Sequence, residues 1–296
     1  PVSAKVRGHN VWVLMQEPYA KGVTDWMVEK HAVFDKVFSH HLPCSTDKYI
    51  RSHPAIPWHV DMSYTDLLEL PVGKKEKNLS WIVGNISDLP GHLRRRRLLE
   101  QIRKDPTFGI DLYGRAVRFI DSKNEGLLPY RYSLAIENTS SPDYWTEKIA
   151  DCLLTWTVPI YYGCPNLEDY FPPEAFIRID IEQPDQALAQ IRRILANDDW
   201  EARLPALAEA IGGLIWPLLG LFAVVLVAAL VGNCLLGGFN FSTQAMMPKF
   251  SRMSLMNDYA DSSAVERKVT IPAYRRSPRA YIDRRLYKFR KSIGLL

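Results

Sequence analysis

Three adjacent side chains open the most chemically suggestive stretch of the chain. Thr146, Glu147 and Lys148 precede Ile149, Cys152, Leu153 and Trp156, apolar positions that recur at helical spacing. The pattern predicts a helix over 146–156. A helix N-terminus offers unpaired N–H groups and partial positive charge, so it suits an anion. A lysine in that first turn works against the helix dipole. Two roles would explain Lys148: contact with a bound phosphate, or pairing with Glu147 or the upstream Glu137. Spacing alone leaves both open.

Other residues offer less. Arg94 to Arg97 form a basic run inside a predicted helix from His92 to Arg103, a pattern expected of a solvated face for at least two of the four. His40-His41 ends a predicted strand and is read as a solvated or hydrogen-bonded pair rather than a metal site. Asp180-x-Glu182 resembles an acidic metal pair but is read as a strand end. Neither a glycine-rich nucleotide loop nor a zinc-protease or serine-hydrolase motif occurs. Cys44, Cys152, Cys164 and Cys234 form no C-x-x-C pair, and Cys152 and Cys164 are expected as buried thiols.

The elements that must position these groups alternate. Strands are predicted at Val11–Met15, Val33–Ser39, Ser80–Val83, Ile110–Tyr113, Ser133–Ile136, Val158–Tyr162 and Phe176–Ile179. Further helices are expected at Asp185–Ala196 and Trp200–Ala210, and His53–His59 is a loop. Alternation at these spacings indicates βαβ units and a parallel sheet. The chain has 296 residues, 47% hydrophobic and 24% charged, which excludes a disordered chain or a small disulfide scaffold. It begins with Pro1 rather than Met, as a fragment or processed product would.

Charge is unevenly placed. Residues 267–296 hold ten Lys/Arg and one acid, leaving 27 basic and 32 acidic residues for the rest. A basic tail suggests an anionic surface, or simply a solvated helix face. Between Ala210 and Pro248 no residue is charged, and Leu214–Val231 meets the lower length limit for a membrane span. Three readings of 211–248 compete: a membrane helix, a local shift of reading frame, and a buried helical hairpin.

The long stretch from Tyr130 to Ile179 resembles the signature of glycosyltransferase family 10, the α1,3/α1,4-fucosyltransferases. The residues that carry the resemblance are Ile136-Glu137-Asn138, Tyr144-Trp145-Thr146-Glu147-Lys148, Thr157-Val158-Pro159-Ile160, Gly163-Cys164-Pro165 and Pro173-Glu174-Ala175-Phe176-Ile177. Ile136 stands where the family has Phe. Weaker similarity runs from His9 to Ala210.

The resemblance implies an α/β fold of GT-B type: two Rossmann-like domains, the N-terminal one incomplete. The implied division is 1–75 for the acceptor side, 76–210 for the donor domain, 211–248 for the apolar segment and 249–296 for the tail. It implies fucosyl transfer from GDP-fucose to a glycan hydroxyl with inversion, on an oligosaccharide, lipopolysaccharide or glycoprotein acceptor. Donor binding would fall to Arg95, Glu137, Asn138, Tyr144, Thr146, Glu147 and Lys148. Glu17 would be the catalytic base, although by position alone it is an exposed strand-end glutamate. No metal, no other cofactor and no nucleic acid would be needed. The location would be the Golgi membrane in a eukaryote, or the cytoplasm or membrane in a bacterium. Alternatives are a GT-B transferase for another nucleotide sugar, a non-catalytic nucleotide-sugar or glycan-binding protein, and a membrane scaffold.

Overall fold

The computed structural model describes residues 2–6, 12–28, 31–42, 46–84, 90–114, 117–215 and 267–271. The larger sheet has five parallel strands: β5 (Lys77–Ile82), β6 (Asp111–Tyr113), β7 (Tyr130–Ile136), β8 (Val158–Tyr162) and β9 (Ile177–Arg178), in the order β6-β5-β7-β8-β9. A smaller parallel sheet joins β2 (Trp12–Leu14), β3 (Lys36–Ser39) and β4 (Tyr49–Arg51). Val2–Val6 (β1) pairs antiparallel with Arg267–Ile271 (β10). The alternation of strands and helices thus gives a parallel α/β sheet, as the sequence pattern predicts, and the smaller sheet is parallel with 3-10 turns between β2 and β3.

Helices link the strands of the larger sheet. These are α2 (Pro90–Lys104), α3 (Asn124–Leu127) and α4 (Glu147–Leu154); 3-10 turns join β8 to β9, α5 (Pro184–Asn197) follows β9, and α1 (Tyr64–Leu68) precedes β5. Numbered from β5, the strand order is 2-1-3-4-5. It reverses between β5 and β7. At such a reversal the crossovers leave to opposite faces, opening a crevice at the carboxyl ends of the two strands. The central strands β7 and β8 are buried along almost their whole length because helices cover both faces.

One core fills this layer. It contains Trp81, Leu98, Leu134, Ile149, Leu153, Ile160 and Ile191. Val60 and Leu67 belong to it too, so the core reaches back before residue 76. A further helix covers residues 204–215, and Ile215 is buried in the same core. The boundary drawn after Ala210 therefore falls inside a packed helix. Beyond Leu214 and Ile215, the apolar run Leu214–Val231 lies outside the described residues, as does most of the basic tail. Among the described residues no helix is long and apolar enough to cross a membrane.

Several predicted boundaries shift. The second strand is Lys36–Ser39, and His31–Val33 instead forms a 3-10 turn. Trp12 is 59% exposed, because β2 is an edge strand and not the buried one its apolar run suggests. Helix α4 stops at Leu154, and Trp156 lies beyond it with φ +58, where the chain turns toward β8. The expected turn over 87–90 lies mostly outside the described residues.

Candidate active site

The crevice at the β5–β7 reversal is where the predicted groups meet. Strand β7 delivers Glu137 at its carboxyl end, and α2, following β5, delivers Arg95. Gly91, Arg95, Leu98, Leu99 and Ile102 form the buried stripe of α2 at helical spacing. Arg95 is therefore the buried member of the run. Arg96 and Arg97 are exposed, and Arg94 pairs with Glu182 at 2.5 Å. Gly91 explains how Arg95 gets so close. A Cβ there would lie 1.5 Å from the carbonyl oxygen of Asn138, so only glycine lets the first turn of α2 abut that backbone.

Glu137 is fully buried at the N-terminus of α4. The Thr146 amide donates to it at 2.8 Å, and the Thr146 hydroxyl lies 2.9 Å from both carboxylate oxygens. A Cβ on Gly163 would meet the Glu137 side chain at 2.5 Å, which fixes a second glycine. The helix start that the sequence offers to an anion thus already holds a carboxylate of this chain. Lys148 completes the cap. Its ammonium lies 3.1 Å from Glu137, 3.4 Å from Glu147 and 2.9 Å from the Thr146 hydroxyl. The ion-pair role of Lys148 is realised here, and its side chain is still 23% exposed.

The electrostatics follow from this crowding. Burial raises the Glu137 carboxyl above its ordinary range, against the pull of Lys148 and Thr146. Burial opposes the charge on Lys148, but Glu137 and Glu147 outweigh it and hold the ammonium protonated. Glu147 resists its own burial through Lys148, Lys123 and His59, which together bring its carboxyl down to about 2. His92 is pushed down to about 4 by burial and by the charges of Arg95 and Lys148. Arg95, Lys123 and Lys148 thus meet the carboxylates of Glu137, Glu147 and Asp151 beside the start of α4. A cavity of about 130 Å³ opens there, lined by Gly84, Arg95, Lys123, Glu147 and Lys148 among others.

Two buried polar atoms in this cluster have no hydrogen-bond partner: Nε of Arg95 and Oδ1 of Asn138. Buried polar groups are normally paired, so such atoms at one crevice suit a polar ligand. Tyr144 closes the other side. Burial, with the carboxylates of Glu137, Glu17 and Glu147 near it, raises its phenol far above the ordinary value. Glu17, three residues past β2, comes near Tyr144 from the smaller sheet. The seven predicted donor residues gather at the crevice, and Glu17 approaches them only through Tyr144.

Residues 72–202 match the family model "Glycosyltransferase family 10 (fucosyltransferase) C-term". This segment is a family 10 glycosyltransferase domain. The family 10 domain begins just before β5 and ends after α5, so it carries Arg95 and every predicted donor residue. The 4-galactosyl-N-acetylglucosaminide 3-alpha-L-fucosyltransferase of Pongo pygmaeus is 33% identical over 134 residues, covering 44% of this chain and 36% of its own. The alpha-(1,3)-fucosyltransferase of Helicobacter pylori is 38% identical over 74 residues, 25% of this chain and 16% of its own. The chain thus spans about a third of the length of the primate relative. A crystal structure of an alpha1,3-fucosyltransferase with GDP-fucose is similar at TM-score 0.46 and 19% identity, over 68% of this chain and 66% of that one.

A second model, the FlhB HrpN YscU SpaS family, matches residues 180–266. The two matches overlap at 180–202, where Ala187, Leu188 and Ile191 of α5 are buried in the core of the larger sheet. That stretch is folded as part of the family 10 domain.

Some neighbours of the site carried no clear sequence signal. Lys123 reaches Asp151 at 2.6 Å, and the His59 amide donates to Asp151 at 2.7 Å. Asp151 lies one turn after Glu147, a spacing that placed it on the same helix face. His40 corrects the expectation of a solvated or bonded pair: it is 6% exposed, and neither ring nitrogen has a partner. Asp180 and Glu182 are used in a turn, with Glu182 bound to Arg94 and the Tyr162 hydroxyl. Among the described residues no cluster of three or more metal-ligating side chains occurs.

Proposed function

We propose that this chain carries the donor site, and part of the acceptor side, of an inverting fucosyltransferase. It would move L-fucose from GDP-fucose to a hydroxyl of a glycan acceptor. One observation carries the reading: Arg95 and Lys148 meet at the strand-order reversal of a family 10 domain, where the Arg95 Nε has no partner.

The chemistry follows from the charges. Breaking the bond between the fucosyl carbon and the diphosphate leaves negative charge on GDP. Arg95, a planar fork of donors, and Lys148, a point charge, are suited to hold it. A divalent ion is not part of the proposal, because these two cations can carry the leaving-group charge. The fucosyl carbon becomes oxocarbenium-like, as in glycoside hydrolysis. The acceptor oxygen bonds to that carbon from the opposite face, and its proton passes to Glu17. A single displacement of this kind inverts the anomeric centre and forms no enzyme-bound sugar. In a eukaryotic source the same reading places the enzyme at the Golgi membrane, and in a bacterial one in the cytoplasm or at the membrane.

Calorimetry with GDP tests the donor site. Lys148→Ala should weaken GDP binding by about 1–3 kcal/mol, the usual worth of a hydrogen bond to a charged group. Equal affinity of wild type and variant would remove Lys148 from the site.

A further inference from the structure

His40 is the buried group that this reading leaves unused. It follows β3 directly, at the carboxyl edge of the smaller sheet. That edge also carries Glu17, beyond the neighbouring strand β2, and Met15 after β2 is tied to β3 by the hydrogen bond its backbone N–H donates to the Phe38 carbonyl at 2.9 Å. Across the crevice the ring packs on Tyr144, with centroids 4.8 Å apart at 57°. His40 therefore stands between the acceptor-side strands and the donor helix. It is 6% exposed, and both ring nitrogens are buried without a protein partner.

Two buried unpaired nitrogens on one ring cost stability, because each has lost water without gaining a partner. Their neighbours do not relieve this. His41 stacks on Tyr19 at 4.1 Å instead, and Asp143 is taken by Arg51, Asn166 and Tyr170. The same seam holds another unpaired buried donor, the Trp145 indole nitrogen, whose ring stacks on His53.

We propose that His40 binds a sugar hydroxyl at the junction of donor and acceptor, and so helps to select the sugar. This rests on the fucosyltransferase reading. The chemistry favours a hydroxyl over a phosphate. Burial, with the charge of His41, holds the imidazole down to about 4, so the ring is neutral at physiological pH. A neutral imidazole has one donor and one acceptor. A hydroxyl can pair with either nitrogen, since it both donates and accepts, whereas a phosphate oxygen only accepts and is better served by Arg95 and Lys148. Both nitrogens are buried and the ring is covered by Tyr144, so admitting the sugar requires that cover to part.

The hydroxyl could belong to the fucosyl group or to the acceptor, and three probes separate the two. GDP, GDP-fucose and a 4-galactosyl-N-acetylglucosaminide disaccharide would be titrated into the 296-residue chain. The variants are His40→Phe, which keeps a ring against Tyr144, and His40→Asn, which keeps a donor and an acceptor. On the fucosyl side, His40→Phe should weaken GDP-fucose by about three- to tenfold, the worth of a neutral hydrogen bond or two, and leave GDP unchanged. On the acceptor side, only the disaccharide should weaken. His40→Asn should recover part of the loss in either case, which a packing defect would not. Wild-type binding of GDP with all three affinities unchanged in His40→Phe overturns the role of His40 and leaves the donor site standing. Failure of wild type to bind GDP overturns both.

Discussion

Glu17 shows how little a residue's own neighbourhood says about its task. In the chain it is a glutamate between Gln16 and Pro18 just after a short strand. In the fold it is half-buried and close enough to Tyr144 to help raise that phenol's pKa. Its charge reaches Tyr144, three residues before the helix that carries Glu147 and Lys148. A base in this place should govern the rate of transfer and leave donor affinity alone. Glu17→Gln, in the longest available form of the enzyme, should lower turnover by roughly 10²–10⁴-fold. GDP affinity measured beside it should stay at the wild-type value. Near-normal turnover would reassign the base.

At the scale of elements, the start of α2 is the most exacting contact in the crevice. Its buried stripe mixes one glycine and one arginine with three aliphatic residues, an arrangement that makes sense only where the helix meets another backbone. Gly91→Ala would drive a methyl group into the Asn138 carbonyl, and a backbone cannot yield as a side chain can. The fold should lose about 1–3 kcal/mol, as overpacked sites do. GDP binding should weaken as well, because Arg95 sits one turn further along the same face. Thermal unfolding and calorimetry on Gly91→Ala measure both effects, with Arg97→Ala on the exposed face as the control. Equal behaviour of the two variants would show that the α2–Asn138 contact does not hold the site.

Across the whole molecule, the crevice at the carboxyl edge of the sheet has a counterpart at the opposite edge. Lys75, 6% exposed, donates to the carbonyls of Leu128 and Thr155 and to the Thr157 hydroxyl. It thereby joins the entry to β7, the end of α4 and the entry to β8. No carboxylate bonds to it, so burial brings its pKa from 10.5 to about 7. The unfolded chain keeps this proton up to its higher pKa, while the folded chain gives it up from about 7. Between those values the unfolded state binds more protons, so this group's contribution to stability rises with pH. Denaturant unfolding from pH 7 to pH 10 should show a steeper rise for wild type than for Lys75→Met. Parallel curves would mean that Lys75 is not held in a depressed state.

The residue types at the site and their order along the chain were legible in the sequence. Glu137, Tyr144, Thr146, Glu147 and Lys148 lie within twelve residues, and a strand–loop–helix unit of that length must bring its ends together. Alternating strands and helices likewise determined a parallel layered fold, since apolar strands of that kind need cover on both faces. The apolar spacing of Leu98, Leu99 and Ile102 already turns Arg95 inward among the four consecutive arginines. What it meets there was not local information, because it depends on α2 abutting the Asn138 backbone at Gly91. The partner of the α4 N-terminus was also open, because a carboxylate from the chain and a phosphate from outside satisfy the same N–H groups. Only the tertiary structure placed Glu137 there. It also brought Glu17 and His40, from the other sheet, to face Tyr144. Such meetings depend on how two sheets pack together, which no spacing along either segment encodes.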